Sequence, residues 1–179
     1  MKLYDPAVVC TGNHLLVTAA NIVYVMDTTS LKWFSAGSLP WDWPVLNNPL
    51  SVCGTELYVL TNSGLVFSCS LPTLLQSSLE IQPETTDVWR NVADVPAEDS
   101  TLTTLCGQLV AVGGRNVLLE PVDTIHLYDP SVDSWHMIGH MPTARHDCLV
   151  ATLPGDTLVV IGGVTREGIS CDVEVAYPV

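Results

Sequence analysis

Four of the five histidines lie within a short stretch of the sequence, and histidine is a common metal ligand. A zinc site needs three or four ligands that converge on one point. This stretch alternates between strand and turn patterns, so we expect the four side chains to point in different directions. No metal site and no cofactor are therefore predicted from these residues, which are His126, His136, His140 and His146.

The sequence lacks the short motifs that mark common catalytic sites. It has no Gly-x-Ser-x-Gly turn, no phosphate-binding P-loop and no His-Glu-x-x-His zinc motif. The adjacent acids Glu98 and Asp99 are expected to be solvated rather than to work as a general acid and base. No catalytic residue is predicted, and the chain is not expected to be an enzyme.

The chain is acidic, with six Lys and Arg against nineteen Asp and Glu and a formal net charge of −13. Surfaces that bind nucleic acid or anionic membranes need many cations, so a protein or peptide is the expected partner.

No signal peptide and no run of 18 apolar residues is found. The six cysteines form no Cys-x-x-Cys pair, and we expect them to be reduced and mostly buried. Together these features favour the cytoplasm.

The elements that carry these residues repeat along the chain. Four apolar runs, each after a turn that contains glycine, align on Leu15, Leu57, Leu109 and Leu158. In the first three repeats a tryptophan follows, seven residues before a proline that has an apolar residue in front of it. These pairs are Trp33 with Pro40, Trp89 with Pro96, and Trp135 with Pro142. Short apolar runs bounded by glycine predict buried strands, and repeats of this length predict four-stranded units.

One domain over residues 1–179 is expected, with units near 6–40, 41–96, 97–142 and 143–179. Residues Pro72 to Asp87, rich in Ser, Thr and Gln, are expected to form a surface loop, and no helix of useful length is predicted. The fourth unit has no tryptophan strand. The three repeated tryptophans are expected to pack between units.

The third unit resembles the Kelch repeat. Gly113-Gly114, Tyr128 and Trp135 stand at signature positions of that repeat, and Arg145 fits a Pro-x-x-Arg often found where a repeat begins. The fourth unit matches at Gly162-Gly163 and Tyr177. The first two units depart from the pattern, because Ala19-Ala20 and Thr61-Asn62 replace the glycine pair.

The resemblance implies an all-β fold, in which four-stranded antiparallel blades form a β-propeller. Kelch propellers usually close with about six blades, and this sequence supplies an incomplete ring of about four. The first interpretation is the C-terminal part of a longer propeller. The alternatives are a small four-bladed ring, or two copies that complete each other. An unclosed blade edge would expose apolar surface and favour self-association.

The resemblance also implies where a partner docks, which is the rim shared by the loops between second and third strands and the segments between blades. The predicted contact residues there are Arg115, Asn116, Arg145, His146, Arg166 and Glu167. Arginine binds carboxylates with two hydrogen bonds, so one hypothesis is that the rim recognises an acidic peptide. Alternatively, Arg145 bonds neighbouring carbonyls or Asp147 and holds the blade turn. Trp41 and Trp43 are expected on the same rim, either as interface anchors or packed on their own turn.

For function, the resemblance implies a non-catalytic module for protein–protein interaction. By family analogy it would be the substrate-recognition part of a ubiquitin ligase adaptor. A Kelch-fold enzyme or a carbohydrate-binding domain is the alternative, although the copper ligands of the galactose oxidase type have no residue-by-residue match here.

Overall fold

The structure is a computed structural model that describes residues 6–19, 22–39, 49–77, 88–155 and 157–177. This part of the chain folds into four main antiparallel sheets, here called blades 1 to 4 in chain order, and one two-stranded sheet. Blade 1 contains β1 (Ala7–Thr11), β2 (His14–Ala19), β3 (Ile22–Asp27) and β4 (Lys32–Ser38). Blade 2 contains β5 (Leu50–Cys53), β6 (Glu56–Leu60), β7 (Val66–Ser70) and β8 (Arg90–Val92). Blade 3 contains β9 (Thr101–Leu105), β10 (Gln108–Val112), β11 (Thr124–Asp129) and β12 (Ser134–His140). Blade 4 contains β13 (Leu149–Leu153), β14 (Thr157–Ile161) and β17 (Val173–Ala176).

The four innermost strands, β1, β5, β9 and β13, lie around a central cavity of about 510 Å³. Three apolar clusters join blade 1 to blade 2, blade 2 to blade 3, and blade 3 to blade 4. Leu39, Val95 and Met141, the apolar residues before the repeated prolines, each lie in one of these clusters. The predicted all-β propeller of four-stranded antiparallel blades is therefore confirmed, with a fourth sheet of three strands.

The expected surface loop at Pro72–Asp87 begins in a short helix, α1 (Leu71–Ser77), so the prediction of a loop is wrong for its first residues. Leu71 and Leu74 are buried and Leu75 packs beside them in the cluster between blades 1 and 2. Leucines at this spacing share one face of a helix. The same spacing can be seen in the sequence, but the prolines and hydroxyl residues around these leucines are typical of a loop.

Two of the three repeated tryptophans connect neighbouring blades, as predicted. The indole Nε1–H of Trp89 donates to the Ser38 carbonyl in blade 1 over 3.0 Å. Trp135 donates in the same way to the Ala93 carbonyl at the end of blade 2, over 2.8 Å. The prediction was wrong for Trp33, whose side chain is 54% exposed, because no blade precedes it in the described part of the chain.

Blade 4 has an apolar face that no other blade covers in the described part of the chain. Leu149 pairs with Ile161, and Ile161 pairs with Val173, which forms one apolar row across all three strands. Each member of this row is exposed. The residues that alternate with them, among them Leu158 and Val160, are buried against blade 3. Because side chains alternate across a strand, blade 4 is built to pack on both faces and is packed on one.

The six thiols form no disulfide, but they are less buried than predicted. Cys69 and Cys148 are buried, whereas Cys10, Cys106 and Cys171 are exposed. Cys10 alternates on β1 with the residues that face blade 2, and Cys106 lies in the tight turn between β9 and β10. Their position next to a glycine turn was therefore a poor guide to burial.

No helix in the described ranges has the length and apolar character needed to cross a bilayer.

Asp27 and Asp129 occupy equivalent turns before the outermost strands of blades 1 and 3. The Asp27 carboxylate accepts hydrogen bonds from the backbone N–H and the hydroxyl of Thr29, at 2.7 and 2.6 Å. Asp129 accepts the same pair of bonds from Ser131. These bonds favour the ionised form and lower the pKa of Asp27 to about 2, and they lower the pKa of Asp129 as well.

This pKa shift predicts a pH-dependent contribution to stability. A carboxyl group whose pKa is lower in the folded state stabilises the fold above its unfolded pKa, and that contribution disappears as the pH falls through the folded pKa. Asp27→Asn should therefore lower the unfolding midpoint at pH 6, and the difference from the unsubstituted protein should shrink between about pH 4 and about pH 2. Thermal melts at several pH values test this. A difference that stays constant over that range would contradict it.

Candidate functional site

Four segments meet at one end of blades 3 and 4, and we call them together the rim. They are the segments between blades (97–99 and 143–147), the loop between β10 and β11 (113–123), and the loop between β14 and β17 (162–172). The last loop contains the small hairpin of β15 (Val164–Thr165) and β16 (Gly168–Ile169). Backbone bridges connect Glu98 to Arg115 and His146 to Val164, so each loop is fixed to the segment that precedes its blade.

The two glycine pairs allow these segments to approach closely. A Cβ atom on Gly113 would lie 2.4 Å from the Arg145 carbonyl oxygen, and one on Gly163 would lie 2.7 Å from the His146 carbonyl oxygen. All four glycines have positive φ values. Glycine tolerates both conditions because it has no Cβ. The Gly-Gly motif therefore positions the rim rather than contacting a ligand.

Arg115 lies on the rim, but its guanidinium is already paired with a carboxylate of the same chain. Its guanidinium forms an ion pair with the carboxylate of Asp99, which is almost fully buried, while about a third of the Arg115 side chain is exposed. Asp99 has a positive φ value and belongs to the turn that leads into β9. The pair ties the loop of blade 3 to the turn before that blade.

Arg145 is fully buried, which contradicts its predicted role as a contact for a docked partner. Its Nη1 donates to the Gly162 carbonyl over 2.7 Å and its Nε donates to the Thr143 carbonyl over 3.3 Å. The Nη2 atom lies 2.7 Å from a carboxylate oxygen of Glu174 on β17. The alternative in which Arg145 bonds carbonyls and holds the blade turn describes this geometry, with Glu174 as its acid in place of Asp147.

Arg166 and Glu167 form the exposed tip of the hairpin in blade 4. The Arg166 side chain is 78% exposed and its Nη2 lies 2.6 Å from the Glu120 carboxylate of the neighbouring loop. Asn116 is a structural residue of that loop, because its side-chain oxygen accepts hydrogen bonds from the backbone N–H groups of Leu118 and Glu120. The loops of blades 3 and 4 are thus joined by an ion pair.

His146 contributes to a small polar cluster beside the central cavity. Its Nδ1 lies 2.8 Å from a carboxylate oxygen of Asp147, and one ligand-type atom from each of Asp99, His146 and Asp147 lies within 4.8 Å of the others. A cation there would compete with the Arg115 guanidinium for Asp99. The contact of Asp99 with Arg115 and that of His146 with Asp147 account for the positions of these three residues.

The other three histidines lie elsewhere on blade 3. His126 is on β11, where burial lowers its pKa and favours the neutral form. His136 bonds the Ser134 hydroxyl on β12. His140 lies 3.0 Å from Asp123 at the end of the same strand.

Three consecutive exposed apolar residues of the rim are not among the predicted site residues. Val117, Leu118 and Leu119 are 98%, 73% and 62% exposed at the end of the loop between β10 and β11. Three consecutive exposed apolar residues are unusual on a folded surface and were an available signal. Trp41 and Trp43 lie outside the described residues, so their predicted place on the rim stays a prediction.

Comparison with known proteins supports the resemblance seen in the repeats. Residues 99–142, which contain the whole of blade 3, match the Kelch motif family. Kelch-like protein 38 of Rattus norvegicus is 26% identical over 100 residues, which is 55% of this chain and 17% of that protein. Kelch repeat and BTB domain-containing protein 13 of Homo sapiens is 35% identical over 92 residues, or 49% of this chain and 20% of that protein.

A third relative covers more of this chain. The influenza virus NS1A-binding protein homolog of Xenopus laevis is 37% identical over 121 residues, which is 64% of this chain and 18% of that protein. The chain thus spans about a fifth of the length of the curated relatives that it matches.

Proposed function

Because this is a Kelch-repeat β-propeller chain, we propose that it is a non-catalytic module for protein–protein interaction and that its partners dock on the rim. The observation that carries the proposal is the joining of the rim loops to one another before any partner binds. Arg166 bonds Glu120 across the two blades, and Arg115 bonds Asp99 within one. A surface that is already ordered loses less conformational entropy on binding, so it binds more tightly for the same contacts.

We propose further that the chain acts in the cytoplasm as the substrate-recognition part of a ubiquitin ligase adaptor. Support comes from the BTB domain named in one relative, and from the acidic, arginine-poor composition that disfavours nucleic acid and anionic membranes as partners. Self-association through the uncovered face of blade 4 belongs to the same proposal, because a large exposed apolar patch favours association.

The test is site-specific photo-crosslinking. A benzoylphenylalanine placed at Glu167, on the rim, should crosslink to a defined protein in a lysate of the source cells. The same group at Ser131, in the turn between β11 and β12, should not. Equal crosslinking from both positions, or crosslinking from Ser131 alone, would overturn the rim as the docking surface. Binding to a glycan array without any protein crosslink would favour the carbohydrate-binding alternative.

A further inference from the structure

The loop between β10 and β11 presents a small apolar surface to solvent, which we call the apolar tip (Val117–Leu119). Its three side chains are the most exposed run of large apolar residues on the rim. Leaving them in water is unfavourable, and a partner that covers them gains the free energy of apolar burial. The loop connects two strands of blade 3 and contacts the hairpin of blade 4 through Glu120 and Arg166, while its exposed residues remain accessible to a docked chain.

The apolar tip is held in a fixed conformation. The Asn116 backbone N–H donates to the Glu120 carbonyl over 3.0 Å, and the Leu119 N–H donates to the Asn116 carbonyl over 2.8 Å. The Asn116 side chain caps two further N–H groups inside the loop. Leu119 has a φ value of +60°, which a leucine rarely adopts. Backbone strain of this kind persists only where the surrounding bonds impose it, and it concentrates at functional positions.

The electrostatic environment of the apolar tip is negative. The rim segments contain seven carboxylates and three arginines, a formal charge of −4. Each of the three arginines is already paired with a carboxylate of the chain, namely Asp99, Glu174 or Glu120. The other five rim carboxylates contact no lysine or arginine among the described residues. An acidic peptide would therefore meet neutralised arginines and uncompensated carboxylates, which is unfavourable.

We propose that the apolar tip is the anchor for a segment of the partner protein in which apolar residues are flanked by lysine or arginine. The apolar side chains of that segment cover Leu118 and its neighbours, and its cations face the uncompensated rim carboxylates such as Glu98 and Glu167. This inference rests on the proposed function and names the chemistry of the partner. It replaces the acidic peptide that the arginine positions in the sequence suggested.

The test begins with a library of random peptides displayed on phage and selected against the full 179-residue chain. Selected peptides should combine apolar residues with Lys or Arg. Leu118→Asp should weaken their binding about tenfold or more, because it replaces the apolar side chain of the anchor with a hydrated carboxylate that the apolar residues of the peptide would have to desolvate. The matched control is Val132→Asp, which alters an equally exposed apolar residue in the turn between β11 and β12, at the other end of blade 3.

Salt provides a second readout that a change in folding alone would not produce. Binding of the selected peptides to the unsubstituted chain should weaken severalfold as salt rises from about 50 to about 200 mM, since the charges involved are exposed. Circular dichroism of both variants establishes that each is folded. Should Leu118→Asp unfold, Leu118→Ser is the replacement, with the same expected direction.

The outcomes separate this inference from the proposed function. Acidic peptides that bind the rim, and lose affinity when Arg166 is replaced by Ala, would overturn the inference and leave rim docking intact. Peptides that bind Leu118→Asp and the unsubstituted chain equally, but lose affinity with Val132→Asp, would overturn both. The absence of any enriched peptide would overturn the inference and leave the crosslinking test to decide the proposed function.

Discussion

Replacing Arg145 with alanine should destabilise the protein by about 3–5 kcal/mol, one of the largest effects of any single substitution in the chain. The fully buried guanidinium lies 2.7 Å from both the Gly162 carbonyl and the Glu174 carboxylate. Its removal leaves the partly buried Glu174 carboxylate without its cation, with only the two hydrogen bonds from Thr143, and leaves the Gly162 carbonyl without its donor. Urea unfolding followed by circular dichroism measures the change.

Arg166→Ala is the matched control, because it also removes an arginine that contacts a carboxylate. Its side chain is mostly exposed, so the expected loss is only about 0–1 kcal/mol. If Arg145→Ala does not fold, Arg145→Lys keeps the charge but loses the planar pair of donors, and an intermediate loss is expected. Equal effects of the two alanine substitutions would show that the buried ion pair contributes no more than the exposed one.

Gly113→Ala should cost about 3 kcal/mol or more, for a reason that is purely steric. The added methyl group would lie 2.4 Å from the backbone oxygen of Arg145, and a backbone atom cannot rotate away as a side chain can. Overpacking of this kind and the strain of a positive φ value both oppose the folded state. Because Gly113 faces the segment that leads into blade 4, the packing of blade 4 on blade 3 should weaken first.

Gly107→Ala separates the two contributions. Gly107 has a φ value of +72°, close to the +65° of Gly113, but apart from its two chain neighbours no described residue has an atom within 4 Å of the position of its missing Cβ. The expected loss is therefore about 1 kcal/mol, from backbone strain alone. Denaturant midpoints of the two variants give the comparison. A loss at Gly107 as large as that at Gly113 would mean that the close approach of the chain segments contributes little.

Much of the fold could be predicted from the sequence because each repeat carries its own structural constraints. The glycine pair is needed where two segments pass closely, and the tryptophans of blades 2 and 3 donate across the interface with the preceding blade. Each requirement involves residues at fixed positions within a repeat. It can therefore be recognised in one repeat and checked against the next. The exception, Trp33, shows the limit of this reasoning, since the identity of a residue does not say whether a neighbouring blade is present to cover it.

The candidate site was harder to predict because its properties depend on which groups meet in space. The sequence places Arg115, Arg145 and Arg166 at similar positions after turns, but only the fold reveals that one is buried and that all three are neutralised by carboxylates. Glu174 lies 29 positions from Arg145 in the sequence, and no local pattern connects them. The apolar tip is not predicted from the sequence, because three consecutive apolar residues suggest burial unless the loop that carries them is known.

The tryptophan hydrogen bonds give the array of blades a direction. In blades 2 and 3 the indole donates backward, to a carbonyl at the end of the outermost strand of the blade before it. A blade stacked in the reverse orientation would not bring an indole donor to that carbonyl. The interfaces between blades 1 and 2 and between blades 2 and 3 therefore each have a donor side and an acceptor side. At these two interfaces the direction of the hydrogen bond adds to apolar packing in setting the order of the blades. The corresponding residue of blade 1, Trp33, is 54% exposed.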